Sequence, residues 1–280
     1  MQQEFDFKVR QMAPEDFKIA AYLANQESWN ESEKDKMPFF AIDPNGFFVG
    51  ELNGEGVATV SGVKYNNYAH IGLYLVKKEC RGKGYGLKVF EQAMDHVKDV
   101  EVIGLDAAEE QVKNYEKWGF KIFDKGLGFQ RQADGDLSNN LIELKTVDFE
   151  KLVEYDEKCF GDCRRNFLKA LLDQEGYHSL GFVEEGVIKG YGFLRKSQVG
   201  YKVGPFVAED KSTAQRVLDG LQSLVKGKQI FLDTFENNKP MTDIMKEQNW
   251  TQRMYFFRMY SKGISKLDVN KAYAVVLEVG

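Results

Sequence analysis

Apolar and polar residues alternate along Phe7-Lys-Val-Arg-Gln-Met12, the spacing of a strand with one buried face. From Asp16-Phe17 the spacing lengthens to a helical one, and helices are expected over 14–37. Three strands follow near 47–53, 56–64 and 68–77, set off by the turn formers Asp43-Pro-Asn-Gly46 and Asn53-Gly-Glu-Gly56. Next come a helix over 84–98, a strand over 101–106, a helix over 109–118 and a strand from 120 onward. Phe90, Met94 and Val97 share a face of the first of these helices with Leu87 or Ala93. The pattern describes an α/β unit whose sheet begins as an antiparallel meander.

The pattern then repeats. Ile142-Glu-Leu-Lys-Thr-Val147 reads as a strand and Asp148-Phe149 opens a helix, 132 residues after Asp16-Phe17. Val207 follows Val76 at an offset of 131, and Gln248-Asn249-Trp250 follows Trp118-Gly119-Phe120 at 130. Turn formers cluster in Gln132-Ala-Asp-Gly-Asp-Leu-Ser-Asn-Asn140, so two domains are expected, 1–136 and 137–280. Ala272-Tyr-Ala-Val-Val-Leu-Glu278 reads as a last strand, and nothing in the sequence tells which sheet it joins.

Composition narrows the class. A chain of 280 residues suits two domains, with 21 Phe and 13 Tyr as core material. The net charge of −5 argues against a general nucleic-acid binder. No apolar run of about 18 residues exists, so no membrane span is expected. Met1-Gln-Gln-Glu-Phe-Asp6 lacks a basic and apolar leader, and Cys80, Cys159 and Cys163 cannot all pair; both point to the cytoplasm. His70, His96 and His178 show no ligand spacing, so no metal is expected. Oligomeric state has no signal.

The chemistry concentrates where Ile71-Gly-Leu-Tyr-Leu-Val76 runs into Arg81-Gly-Lys-Gly-Tyr-Gly86 and then into a helix. Glycines at alternate positions let backbone N–H groups face an anion, and the helix adds its unpaired N–H groups and dipole. Arg81 and Lys83 add charge. The nucleotide P-loop pattern is absent. A dinucleotide fingerprint keeps Asp106 as its acidic residue but expects glycine where Leu87 or Val89 stands, and a preceding parallel strand. A purely structural glycine turn leaves Arg81 and Lys83 unexplained.

Arg81-x-x-Gly84-x-Gly86 resembles the pyrophosphate loop of the Gcn5-related N-acetyltransferase (GNAT) superfamily, and Asn114-Tyr-Glu-Lys-Trp-Gly-Phe120 resembles its Tyr-Glu-Lys-x-Gly-Phe signature. The order of elements matches over roughly residues 5–135. The resemblance implies two tandem GNAT-like domains, each a mixed, mainly antiparallel twisted sheet flanked by helices. It implies transfer of an acetyl group from acetyl-CoA to an amine. Leu75 and Val76 would hold the pantetheine arm, and Arg81, Gly82, Lys83, Gly84, Tyr85, Gly86 and Leu87 the pyrophosphate. Tyr115 matches the tyrosine that protonates the departing thiolate, with packing beside Val112 and Trp118 as the plainer alternative. The cofactor-contacting asparagine of many members is Ala108 here. The base is open: His70 has a suitable pKa, Tyr74 would share its strand face, and Glu27 could work through water. Glu27 and Trp29 fall in the helical region that lines the acceptor pocket in the family.

At an offset of 131, Arg81, Gly82, Gly84 and Gly86 become Ser212, Thr213, Gln215 and Val217, and at 130 Tyr115 becomes Met245. The second copy is therefore expected to keep the fold, lose the chemistry and help close the acceptor pocket. A small-molecule amine is the expected acceptor. Acetylation of protein lysines or N-termini, and non-catalytic acyl-CoA sensing, are the alternatives.

Overall fold

The computed structural model describes residues 6–138 and 140–280. Its strands are β1 (Phe7–Gln11), β2 (Phe47–Leu52), β3 (Glu55–Lys64), β4 (Tyr68–Val76), β5 (Val102–Ala107), β6 (Lys121–Gln132), β7 (Leu141–Glu143), β8 (His178–Glu184), β9 (Val187–Lys196), β10 (Tyr201–Ala208), β11 (Gln229–Phe235), β12 (Thr251–Ser261) and β13 (Ala272–Ala274). The helices are α1 (Phe17–Gln26), α2 (Lys36–Phe40), α3 (Tyr85–His96), α4 (Val112–Glu116), α5 (Phe149–Phe160), α6 (Arg165–Asp173), α7 (Lys211–Leu224) and α8 (Lys239–Glu247). None is long and apolar enough to cross a membrane.

The expected meander is present, and so is the repeat, element by element. The helices expected over 14–37 are α1 and α2, joined by a stretch that includes a short 3-10 turn at Glu33–Asp35, and α2 runs on to Phe40. On α3 the buried face is Val89, Phe90 and Ala93, continued by Val97, while Leu87 stays half exposed at the helix start. That face packs on β2, β3 and β4, and α7 covers β8, β9 and β10 in the same way. Fully burying one such aromatic side chain stabilises by about 1.5–3 kcal/mol.

The strands order as β1-β2-β3-β4-β5-β12-β6-β11-β10-β9-β8-β7, with β13 added to β10. Pairings are antiparallel except for β4 with β5 and β10 with β11. The sheet is continuous across residues 136–137, where the sequence suggests a boundary. The copies exchange strands: β12 lies between β5 and β6, and β6 between β12 and β11. Each copy thus supplies the strand that completes the other.

A second reciprocal contact joins the copies through their helix–helix connections. After α1, Asn30 accepts from the Val199 N–H (2.7 Å) and donates to the Val199 carbonyl and the Ser197 hydroxyl (both 3.0 Å), holding the β9–β10 turn. After α5, Asp162 accepts from the N–H groups of Asn66 (3.2 Å), Asn67 (2.7 Å) and Tyr68 (3.1 Å), holding the β3–β4 turn. The two residues stand 132 apart, the spacing of the repeat.

Asp162 is buried, so its removal leaves backbone donors without partners, each costing about 1–3 kcal/mol. Asp162→Ala is expected to lower stability by about 3 kcal/mol in urea denaturation, and Asp162→Asn by clearly less. A loss below about 0.5 kcal/mol in the alanine variant would show that the clamp contributes little.

Candidate active site

β4 and β5 begin as a parallel ladder, Tyr68 opposite Val102 through Ile71 opposite Leu105, and then separate. Beyond that point β4 pairs only with β3, through a bulge: Ser61 faces Gly72, Thr59 faces Leu75, and Leu73 and Tyr74 share Val60. Leu73 sits at φ +46°, a conformation that strains a non-glycine residue, and its carbonyl accepts from the Thr59 hydroxyl (2.9 Å). The bulge exchanges the two faces of the strand. Ala69 and Ile71 pack with α3, and after the bulge Tyr74 and Val76 do so instead. Leu73 and Leu75 turn to the other side, Leu75 against Leu23 and Ala24 of α1.

The arm Leu73–Val76 leads through Lys77–Gly84 to α3. Gly82 (φ +73°) and Gly84 (φ +84°) are in the left-handed region, where a Cβ would meet no neighbour within 4 Å, so the backbone angle is what demands glycine. Gly86 is needed for space: its Cβ would lie 2.8 Å from the Tyr74 hydroxyl and 3.0 Å from a Val76 methyl. Gly84 is the N-cap of α3, with no side chain on the N–H groups of the first turn. These donors and the helix dipole form an anion cradle.

The cradle's basic residues are tied inward. The Arg81 Nε donates to the Val76 carbonyl (3.0 Å), and the Arg81 guanidinium pairs with Glu27 (2.7 Å) at the end of α1. Lys83 donates to the Glu79 carbonyl (2.8 Å). Tyr85 stacks on Phe7 (4.4 Å between centroids). Glu27 therefore braces the loop, and Trp29 is exposed.

Tyr115 packs on Phe90 of α3, as Tyr74 of the arm does, with 5.7 Å between ring centroids, and on Phe120 at 6.2 Å. Burial, and secondarily Tyr74, push its phenol well above the usual tyrosine range, so it holds its proton at neutral pH. The grouping of arm, cradle and protonated phenol can hold an extended anionic ligand beside a proton donor.

Two sequence expectations need correction. Tyr74 does not share a face with His70, because the bulge sends it under α3, 5.2 Å from Phe90. His70 is fully buried, and both its nitrogens are engaged: Nε2 with the Leu277 carbonyl (2.9 Å) and Nδ1 with the Tyr68 hydroxyl (2.7 Å). The carbonyl can only accept, so Nε2 carries the hydrogen and Nδ1 accepts from Tyr68. Burial first, then Arg258, hold the imidazole's pKa well below its ordinary value. His70 has no free lone pair with which to act as a base.

Beside it lie groups that carry no local sequence signal. Asp106 follows the last β4–β5 pair and makes a bidentate ion pair with Arg258 (2.7 and 2.8 Å) from the exchanged β12. Ser61 and Tyr65 donate to the carbonyls of Glu278 (3.3 Å) and Val279 (2.8 Å). The Glu278 carboxylate meets Lys202 (2.5 Å) and, at 3.9 Å, Arg195; Lys202 also reaches Glu31 (3.3 Å), and Arg195 reaches Asp35 (2.7 Å). All five are buried. Lys202 and Arg195 hold Glu278 ionised, whereas burial and the Glu278 charge push the Glu31 carboxyl up.

The equivalent place in the second copy is built differently. Ser212, Thr213, Gln215 and Val217 are inside α7 rather than in a loop, so the expected replacement of the glycines by larger residues is incorrect. The connection itself has shrunk to Glu209 and Asp210, and the Asp210 carboxylate accepts from the Thr213 N–H (2.8 Å), capping α7 with negative charge. β10 and β11 separate after Val203 and Leu232, as β4 and β5 do, but β13 fills the gap. It pairs with β10 at Phe206 and Val207, and the Val275 N–H donates to the Asp233 carbonyl of β11 (2.9 Å). Met245 is buried in the second core.

Comparison with known proteins agrees with this geometry. Residues 9–120 match the acetyltransferase (GNAT) family model, and 152–274 match a second acetyltransferase (GNAT) domain model. The chain is 31% identical to a holothin acyltransferase of Pseudoalteromonas sp., over 100% of this chain and 97% of that protein. A putative acetyltransferase of Pyrococcus horikoshii has the same fold, with a TM-score of 0.84 at 22% identity over 98% of this chain and 96% of its own. A tandem GNAT protein from the clavulanic acid biosynthesis pathway superposes with a TM-score of 0.65 at 12% identity, covering 93% of this chain and 100% of that one. With two GNAT domain matches and a full-length acyltransferase relative, the chain belongs to the GNAT acyltransferase family.

Proposed function

We propose that this acyltransferase moves an acetyl group from acetyl-CoA to the primary amine of a small molecule in the cytoplasm, using a single donor site in residues 1–136. The observation that carries the reading is the continuity of the separated arm Leu73–Val76 with the uncapped, glycine-shaped start of α3 at Gly84. Pyrophosphate fits the cradle, and the pantetheine arm fits beside Leu75 and Val76, where β4 has no partner on the β5 side. The neutral amine attacks the thioester carbonyl, the carbon–nitrogen bond forms as the carbon–sulfur bond breaks, the thiolate takes the Tyr115 proton, and the proton lost by the new amide nitrogen passes to solvent, from which the Tyr115 phenol is restored. Residues 137–280 support this site and bind no donor, since β13 and Asp210 fill the corresponding positions.

A small acceptor is favoured over a protein tail. α1 covers Leu75, and the backbone of Glu278 lies against Gly72, where a Cβ would come within 2.1 Å of its carbonyl oxygen. The holothin acyltransferase relative, by its name, also acts on a defined compound.

Gly84→Val places a β-branched residue at φ +84° and reshapes the cradle. Calorimetry should show acetyl-CoA binding weakened at least ~100-fold, while thermal unfolding reflects only the ~1–3 kcal/mol of a strained backbone. Binding within threefold of the parent would count against the cradle. Tyr115→Phe should lower kcat about 100-fold in a thiol-release assay with a panel of primary amines, with acetyl-CoA affinity unchanged. A loss of less than threefold would remove Tyr115 from the mechanism.

A further inference from the structure

One segment, 275–280, crosses both places where a parallel ladder ends. Gly72 follows the last β4–β5 pair, and Gly204, 132 residues on, follows the last β10–β11 pair. A Cβ at Gly204 would lie 3.0 Å from the Val275 carbonyl oxygen, and one at Gly72 would lie 2.1 Å from that of Glu278. Gly72 has no left-handed backbone angle to explain it. What demands glycine there is the backbone lying on it.

The two crossings are fastened differently. Over the second copy the segment arrives as β13, paired with β10. Over the first, 276–280 joins no strand among the described residues. Instead, three successive carbonyls each accept from a side chain of the first copy. Leu277 accepts from His70 Nε2 (2.9 Å), Glu278 from the Ser61 hydroxyl (3.3 Å) and Val279 from the Tyr65 hydroxyl (2.8 Å). His70 and Ser61 are fully buried. From the other side, Lys202 holds the Glu278 carboxylate (2.5 Å). Strand pairing uses up the edge it pairs with, whereas a clasp of side chains fixes a peptide above a sheet and leaves the edges of β4 and β5 free.

The place of the clasp matters for the reaction. Tyr115 packs on α3, so the thiolate leaves on the α3 side and the amine arrives from the opposite face. On that face Leu75 lies under Leu23 and Ala24 of α1, and Leu73 shares a core with α1, Val276 and Val279. The amine must therefore approach between α1 and the clasped segment.

We propose that His70, Ser61, Tyr65 and Gly72 are positioning residues for the acceptor: they set Leu277–Val279 at the height that walls the amine's side of the thioester site. The proposal rests on the acyl-transfer reading. In it His70 acts through the Leu277 carbonyl and touches no reacting atom.

Three variants of the full chain test this. His70→Ala removes a donor of the clasp, His70→Gln keeps an N–H donor in its place, and Gly72→Ala lifts the segment while leaving all three donors. Hydrogen exchange of residues 276–280 should rise at least ~10-fold in His70→Ala and in Gly72→Ala, and stay within about threefold of the parent in His70→Gln. In thiol-release assays with a panel of primary amines, the amine KM should rise at least ~10-fold in the first two, with kcat and acetyl-CoA affinity within about threefold, and His70→Gln should keep the parent KM within about threefold. Gly72→Ala carries the test should His70→Ala not fold. Unchanged exchange in both disrupting variants, or raised exchange with an unchanged amine KM, would overturn the proposal. A loss of kcat at constant KM in both histidine variants would also overturn it, since that marks a base. A parent that binds acetyl-CoA but releases thiol with no amine would refute the acyl-transfer reading itself, whereas an amine KM that ignores the clasp refutes only this proposal.

Discussion

After Ile71 and Leu105, β4 and β5 stop hydrogen bonding to each other, and a buried sheet cannot leave such groups without partners. The repeat meets this constraint twice and answers it in two ways. In the second copy Ala272–Ala274 enters the gap and pairs with β10, and Val275 just after it donates to the Asp233 carbonyl of β11. In the first, the arm past Leu73 stays open toward β5 and continues into a helix whose first N–H groups carry no side-chain cap. The two helix starts differ in the same sense. Asp210 brings negative charge to α7, which would repel a phosphate, while glycines leave α3 open to one.

The strand exchange makes the copies mutually dependent. β12 brings Arg258 to Asp106 at the point where the first ladder ends, and the segment after β13 runs from the second copy's gap across Gly72 in the first. Buried charges are tolerated only when paired, and removing one partner typically costs ~3–5 kcal/mol. Lys202, Arg195, Glu31, Asp35 and Glu278 therefore fix the relative placement of α1, α2, β9, β10 and the last segment. In the proposed function the second copy thus acts on the candidate site as a wall and a brace rather than as a second donor site.

Much of this was legible in the sequence. The strands of the meander, the helix after the glycines and the repeat all follow from local spacing, and Gly84 and Gly86 stand out because few other residues fit their angles or contacts. What escaped depends on partners distant in the chain. A strand has the same period of two whichever neighbour it pairs with, so nothing in 121–132 or 251–261 announces an exchange. At the bulge the left-handed residue is Leu73 rather than its neighbour Gly72, and the bulge moves Tyr74 to the side opposite His70. The fate of His70 was hidden as well, because its partner Leu277 lies 207 residues away. Shrinkage of the second loop was masked by a repeat offset that is nearly constant on either side of it.

The contrast between one open gap and one filled gap is tested most directly by the number of acetyl-CoA molecules bound per chain. Titration calorimetry on the full chain should give one, with a single class of site. Two equivalents would mean that β13 does not exclude the donor from the second copy, and would contradict the division of labour drawn from the two strand separations.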